Sequence, residues 1–401
     1  MGGRWWLRLA ILLVCLGYLA DSPGLLVLAA LTAVGVGVAW AWNRLALDGV
    51  SYRRQLSHPR GFPDETVTCR VRVENRKRLP LSWLRIVDRW PLDVAPEDKG
   101  LLSPSHVHGF GNLHLVLSLA GHGRVRRDIS LALRRRGIHL LGPAWMESGD
   151  GFGLFRSEVA VPRRDQLVVF PTVHPLPDLG IRPEDPFGVR RSPRRLYEDP
   201  LLPSGVRDYR PEDGFRRIHW PASARSGSLQ SRVFQPVAGM DLILFLNAAT
   251  YAQAWMGVDR EQLDHLVETA ASFVYAAHAQ GYRVGLVSNG SVARSGRPFR
   301  FAPSRAPGHL ARLLEALAGL TYLIPTPFDR FLLRETPLLE YGASLVVVTS
   351  VIGAETLEAI SRLRQRARKL TLVSLAAEPM PRLAGIDTIH LPAGIQVPSP
   401  A

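Results

Sequence analysis

Gly205-Val-Arg-Asp-Tyr-Arg-Pro-Glu-Asp-Gly-Phe-Arg-Arg-Ile-His-Trp-Pro-Ala-Ser-Ala-Arg225, continuing through Leu229 and Arg232 to Phe234, is the stretch on which the reading of this chain turns. It sets Arg207, Arg210, Arg216, Arg217, Arg225 and Arg232 among Asp208, Glu212 and Asp213, with Tyr209, Trp220 and Phe234 between them and no lysine. A solvated face uses Lys and Glu freely. Arginine offers a planar fork of donors suited to bidentate carboxylate or phosphate pairing and to stacking on rings. Two readings stand side by side: a buried Arg–Asp network that staples two domains, and a contact surface for an acidic partner.

Downstream, the period is that of alternating strands and helices. Leu242 to Leu246 is a continuous apolar run, the mark of a strand buried on both faces. Asp259 to Gln280 has helical spacing through Leu263, Leu266, Val267, Ala270 and Phe273, with Gly281 as its stop. Val284–Val287, Leu310–Leu320, Leu345–Val348, Glu355–Arg368 and Leu370–Leu375 continue the series, which predicts a parallel sheet wrapped by helices.

Upstream, from about Tyr52 to Pro171, the period is two. Thr66 to Val73 alternates like a half-exposed strand that Asn75 closes, and Leu84–Val87, His114–Leu119, Arg124–Leu133 and Leu167–Phe170 read similarly. Gly, Pro and Asn punctuate the gaps, so a small antiparallel β-sandwich is expected. Residues 172–204, rich in Pro, Arg, Asp and Glu, read as a connector.

The chain opens with two apolar runs, Trp5–Ala20 and Gly24–Trp42, separated by Asp21-Ser22-Pro23. A bilayer core needs about 20 apolar residues. Arg4 and Arg8 precede the runs and Arg44, Arg53 and Arg54 follow them, so the positive-inside rule puts both outer flanks in the cytoplasm. A cleaved signal peptide before a single span is the competing reading. The short turn and the immediate second run favour a helical hairpin in the inner (plasma) membrane, with the bulk of the chain cytoplasmic.

The 401 residues carry a formal net charge of +14, which suits an anionic membrane surface, a nucleic acid or an acidic protein. Basic residues are scattered rather than striped, so no specific nucleic acid is expected. Cys15 and Cys69 are the only cysteines, which excludes a disulfide framework and a zinc cluster. No phosphate-binding loop, His-Glu-x-x-His or Gly-x-Ser-x-Gly motif occurs. His106, His108, His114 and His122 lack supporting cysteines or close carboxylates and read as hairpin-tip residues rather than a metal site. His219 with Asp208, Asp213 and Ser223 can be drawn as a hydrolytic triad, a minor alternative.

Arg207, Asp208, Tyr209, Asp213, Arg216, Ile218, Trp220, Ala224 and Arg225, in this spacing, resemble the signature of the family called domain of unknown function 58. Glu212 stands where that family has a glycine. Arg136-Gly-Ile-His-Leu-Leu-Gly-Pro143 and Asp150-Gly-Phe-Gly-Leu-Phe155 resemble two further family segments, with Gly151 in place of proline. The resemblance implies a von Willebrand factor A-like (Rossmann-like) last domain, a MoxR-type AAA+ ATPase as partner, and often a transglutaminase-like membrane protein beside it. A-like domains hold a divalent ion through an Asp-x-Ser-x-Ser loop, a threonine and a later aspartate, oxygen ligands that suit magnesium or calcium. The corresponding positions here are Asn247, Ala249 and Tyr251, with Thr349 and Ser350 after the later strand. Without carboxylates, no metal and no cofactor are expected there.

The expected organisation is therefore a membrane-anchored α/β plus β chain. It comprises a transmembrane hairpin over 1–45 (spans about 5–21 and 24–42), a β-sandwich-like domain over 50–171, the connector over 172–204, the signature segment over 205–234 and the A-like domain over 235–401. The expected function is a non-enzymatic, cytosol-facing adaptor whose interaction residues are Arg207, Asp208, Tyr209, Arg210, Asp213, Arg216, Ile218, Trp220, Ala224 and Arg225. The alternative is binding of nucleic acid or anionic lipid through the basic surface.

Overall fold

The two apolar runs are helices, α1 (Gly3–Leu19) and α2 (Pro23–Ala46). The computed structural model to which they belong describes residues 3–391 apart from 20–22, 180, 182–186, 188–197, 211–213, 216–217, 237–240, 293–296, 340–341, 368 and 381–382. The chain divides into two units, Met1–Pro171 and Thr172–Ala401. Among the described residues, α2 is the one helix long and apolar enough to cross a membrane. Its 24 residues span about 36 Å at ~1.5 Å per residue, enough for a ~30 Å hydrocarbon core. Leu31, Val34 and Val38 stand exposed along it. At its end Ala46 is buried in the core of the strands that follow, and Lys77 donates to the carbonyls of Ala46 and Asp48, satisfying groups the last turn leaves free.

The first unit continues through β1 (Val50–Leu56), β2 (Arg60–Gly61), β3 (Thr66–Asn75), β4 (Leu81–Pro91), β5 (Leu102–Pro104) and β6 (Phe110–Leu119). It then adds β7 (Arg124–Ala132), β8 (Gly137–Leu141), β9 (Ala144–Gly149), β10 (Arg156–Val161) and β11 (Asp165–Val169). Alternation read in Thr66–Val73 is realised in β3, where Val67, Cys69, Val71 and Val73 point inward. The strands make three sheets, ordered β1-β3-β7, β10-β9-β4-β6-β5 and β2-β11-β8, around one core that includes Trp90, Leu84, Leu131 and Leu167. Pro143, which has no N–H to donate, lies between β8 and β9, and these two strands join different sheets.

Arg54 joins these sheets. The sequence reading counted it among the positive charges flanking the apolar runs; in the fold it is buried, 4% exposed. From β1 its Nη1 donates to Asp88 Oδ1 on β4 at 2.6 Å, its Nε to Asp165 Oδ2 on β11 at 2.9 Å, and its Nη2 to the Arg163 carbonyl at 2.5 Å. Tyr52 Oη and Trp90 Nε1 both donate to Asp88 Oδ2 at 2.6 Å. Burial pushes the Asp88 carboxyl up, while Arg54 and the two neutral donors pull it down. An ionised carboxylate can accept from all of them, whereas a protonated one would turn an O–H toward a donor. Gly142, at φ +97°, lets the guanidinium pass: a Cβ there would lie 2.6 Å from both Arg54 Nη1 and Nη2. That contact gives the glycine of Arg136–Pro143 a physical reason.

The second unit begins with a ribbon of β12 (Glu198–Asp208) and β13 (Gln230–Pro236), with helix α3 (Trp220–Ser226) in the loop between them. There follow β14 (Asp241–Leu246), α4 (Arg260–Ala279), β15 (Arg283–Ser291), β16 (Pro298–Ser304), α5 (His309–Ala318) and α6 (Phe328–Glu335). The unit closes with β17 (Ser344–Thr349), α7 (Ala354–Arg364), β18 (Lys369–Ser374) and β19 (Asp387–His390). The sheet order is β16-β15-β14-β17-β18-β19, with β16 antiparallel and the rest parallel. All six residues of β14 are buried, as its unbroken apolar run requires. Ile243 and Phe245 pack with α6 and α7. Within the stretch read as a connector, Phe187 is held in this unit against Phe273 and Tyr282 at ring distances of 6.2 and 5.5 Å.

Asp88→Ala, which strands Arg54, Tyr52 and Trp90 without their acceptor, is expected to destabilise the first unit by about 3–5 kcal/mol; urea unfolding of the full chain in detergent checks it. His139 supplies a pH dependence. Its ring Nε2 lies 3.0 Å from the Arg135 carbonyl, and burial holds its pKa below the ordinary value. The unfolded chain therefore takes up this proton first. The stability is complete above about pH 6.5 and is lost as pH falls through the folded pKa. The unfolding midpoint should drop between about pH 7 and 5, and His139→Gln should flatten that slope.

Candidate functional site

The signature segment is built by the β12–β13 ribbon. Val206, Arg207 and Asp208 pair with Arg232, Ser231 and Gln230. His219 caps α3: its Nδ1 accepts the Ala222 N–H at 3.1 Å, and Gly227, at φ 70°, ends the helix in the left-handed region. Ser223 Oγ donates to the His219 carbonyl at 3.1 Å and accepts from Gln230 N at 2.8 Å. These bonds engage His219 Nδ1 and the Ser223 hydroxyl in local structure. Ser223 meets the backbone oxygen of His219, not its ring.

Among the described signature residues Ile218 alone is fully buried, at 3% exposed, and it bridges to Ser231. Around it the segment faces outward. Trp220 is 64% and Phe215 79% exposed, and Val206 and Leu229 also stand out. Tyr209 stacks on Phe215 with ring centroids 6.3 Å apart. Arg210, Ala224, Arg225 and Arg232 are exposed, Arg207 is half-buried with Nη1 on the Asp208 carbonyl, and Asp208 accepts from Gln230 Nε2 at 2.6 Å. Asp213 and Arg216 lie outside the described residues. Phe215 was not among the residues singled out from the sequence; its place beside Gly214 in the tight turn was the available signal.

The second candidate lies at the carboxyl ends of β14 and β17, where strand order reverses and open α/β sheets bind ligands. Asn247, Asn289 and Thr349 are buried there. Asn247 Nδ2 donates to Thr349 Oγ1 at 3.0 Å, and its Oδ1 accepts from Asn289 Nδ2 and from Ala249 N, both at 3.1 Å. Asn289 Oδ1 accepts from Ala248 N at 2.9 Å, and Thr349 Oγ1 donates to the Val351 carbonyl at 2.8 Å. Tyr251 is exposed beyond the network. Oxygens that would face a hard cation are occupied by N–H donors, and no carboxylate joins them. These residues do not fit a magnesium or calcium site. Asn289 was missed in the sequence because its role depends on the lateral pairing of β15 with β14.

Asp150 organises the third motif. Buried, its carboxylate accepts from the backbone N–H groups of Phe152, Leu154 and Phe155 at 2.9, 3.2 and 2.6 Å. The loop is thus an acid-nucleated turn with Phe152 exposed at its tip. His114 Nε2 meets Ser103 Oγ at 2.8 Å, and no group of three or more His, Cys, Asp or Glu suited to a metal occurs among the described residues.

Comparison with known proteins gives matches to parts of the chain. The family model described as "Protein of unknown function DUF58" matches residues 205–376. Uncharacterized protein YeaD of Bacillus subtilis (strain 168) is 24% identical over 160 residues, 40% of this chain and 38% of that protein. The match therefore spans little more than a third of that curated relative. Among solved structures, AvmM, titled as catalysing macrocyclization in alchivemycin A biosynthesis, is 13% identical with a TM-score of 0.23, covering 31% of this chain and 92% of its own. A cohesin module of a Clostridium perfringens family 33 glycoside hydrolase is 9% identical with a TM-score of 0.22, covering 30% and 96%.

Asn289→Ala removes the acceptor of Ala248 N and a donor to Asn247, so a loss of about 1–3 kcal/mol is expected on urea unfolding. Calorimetric titration of the wild type with magnesium should give no heat that disappears on Asn247→Ala.

Proposed function

From a chain whose residues 205–376 match the family model described as a protein of unknown function, DUF58, we propose a non-enzymatic, membrane-anchored, cytosol-facing adaptor. Its partner is a MoxR-type AAA+ ATPase, with which it assembles or remodels a protein complex at the cell envelope, and a transglutaminase-like membrane protein is a second candidate partner. The observation that carries this reading is the exposure of Phe215 and Trp220 on the loop and helix between β12 and β13, with Arg210, Arg225 and Arg232 also exposed. Large aromatics and arginine supply most of the energy of protein interfaces. A chain that leaves them in water on a rigid element has a surface suited to a partner.

The membrane part of the proposal rests on α2 and on the arginines that follow it. In this reading α1 and α2 form a two-helix transmembrane hairpin with both outer flanks in the cytoplasm. The order β16-β15-β14-β17-β18-β19, with one antiparallel edge strand, supports a von Willebrand A-like domain whose ion site has been replaced by the Asn247–Asn289–Thr349 network.

The test is affinity purification of the full chain from its own membranes, then titration of the purified ATPase against wild type and Phe215→Ala/Trp220→Ala. Because both side chains are exposed, the variant should melt with the wild type. Its affinity should fall by about 2 kcal/mol, roughly thirtyfold. Failure of any AAA+ ATPase to accompany the wild type, or equal affinity of the variant, would sink the reading.

A further inference from the structure

The outward face of the β1-β3-β7 sheet carries three arginines in one lateral row. The strand register sets Arg53 opposite Arg72 and Arg72 opposite Arg126, and all three are exposed. Neighbouring strands lie about 4.8 Å apart, so three like charges fall within roughly 10 Å. Like charges directly opposite across a sheet are destabilising. On either side of the row the same face is neutralised: Arg124 pairs with Glu74 at 3.0 Å and Arg70 with Asp128 at 2.8 Å. Arg126 reaches the already engaged Asp128 at 3.6 Å. Arg53 and Arg72 have no carboxylate partner among the described residues. The row thus holds positive charge that the fold itself does not balance.

Its position says what would balance it. β1 begins at Val50, four residues after α2 ends at Ala46, and the helix end is tied to the sheet by Lys77. Arg53 lies three residues into the strand, about 10 Å from its start at ~3.3 Å per residue. The edge of the sheet next to α2 is the paired Ser51–Glu74–Arg124 row, and the arginine row comes next. With α2 in a bilayer, the row sits where the surface potential of an anionic leaflet is felt. Guanidinium forks suit phosphate oxygens.

We propose that the Arg53–Arg72–Arg126 row is a docking face for phosphate-bearing anionic lipid headgroups of the membrane that α2 enters. The row orients the first unit on the leaflet. This inference rests on the anchoring of α2 and is independent of the ATPase.

The test places the full chain in nanodiscs of phosphatidylcholine alone or mixed with phosphatidylglycerol. A spin label goes on Gln55→Cys, exposed two residues from Arg53, in a Cys15→Ser background. Cys69 is buried with its thiol pushed up to about 12 by burial, so it does not compete for the label. The readout is relaxation of the label by a nickel-chelating headgroup lipid. Wild type is expected to show relaxation that rises with phosphatidylglycerol and collapses in about 1 M salt. Arg53→Gln/Arg72→Gln/Arg126→Gln should lose it, with docking weakened on the order of a hundredfold, about fivefold per charge. The triple variant should fold with an unchanged or higher melting midpoint, since it relieves like-charge repulsion. Equal relaxation in both lipids, or persistence in the triple variant, overturns the proposal while leaving the anchor standing. Release of the wild type from membranes by alkaline carbonate removes the anchor and the proposal with it.

Discussion

One guanidinium holds the first unit together. Arg54 stands on the β1-β3-β7 sheet, Asp88 on the five-stranded sheet and Asp165 on the β2-β11-β8 sheet, and the three meet through bonds of 2.6 and 2.9 Å. A lysine in this place would offer a single charged point, whereas the planar fork addresses carboxylates in different directions at once. Desolvating such a cluster is costly, and hydrophobic replacements of similar volume are often as stable. The cluster therefore does more for which sheets pair than for how tightly they do so. Gly142 and Pro143 belong to the same device, because a side chain at residue 142 would occupy the space of the guanidinium.

How much of this the sequence disclosed depends on the range of the interaction. Alternation in Thr66–Val73 and the unbroken run Leu242–Leu246 are local properties, and β3 and β14 follow from them directly. Arg54 is the opposite case. Beside Arg53 and downstream of an apolar run, it looks like one more topogenic charge. Its burial follows from Asp88 and Asp165, which lie 34 and 111 residues away. The same holds for Asn289, which reaches Asn247 only because β15 lies against β14. Helix α6 escaped notice because it has 8 residues, and so does not show enough turns for a period.

The signature segment was legible as chemistry and not as geometry. Its wealth of arginine and aromatic residues left a buried staple and an exposed surface equally open. Among the described residues, Gly205–Asp208 pair with Val233–Gln230, Ile218 is buried beside Ser231, and Trp220, Phe215, Arg225 and Arg232 are exposed. Asp213 and Arg216, on which a staple would depend most, lie outside those residues. The order within the segment now has a local cause: His219 and Gly227 delimit α3, and Ser223 ties the helix to β13.

The two units treat polar groups in contrasting ways, and the contrast points to where function lies. At the reversal of strand order in the second unit, a crevice that could hold a charged ligand is filled by amides and a hydroxyl that bond to one another. A neutral network of this kind ties the strand ends of β14, β15 and β17 to one another. On the surfaces the reverse holds: among the described residues Arg53 and Arg72 have no carboxylate partner, and Trp220 and Phe215 stay 64% and 79% exposed, Phe215 with Tyr209 stacked on one side. Interactions left incomplete by the fold are the ones available to something outside it. By that criterion the sheet face beside α2 and the segment around Ile218 are the surfaces to which the two proposals assign a partner.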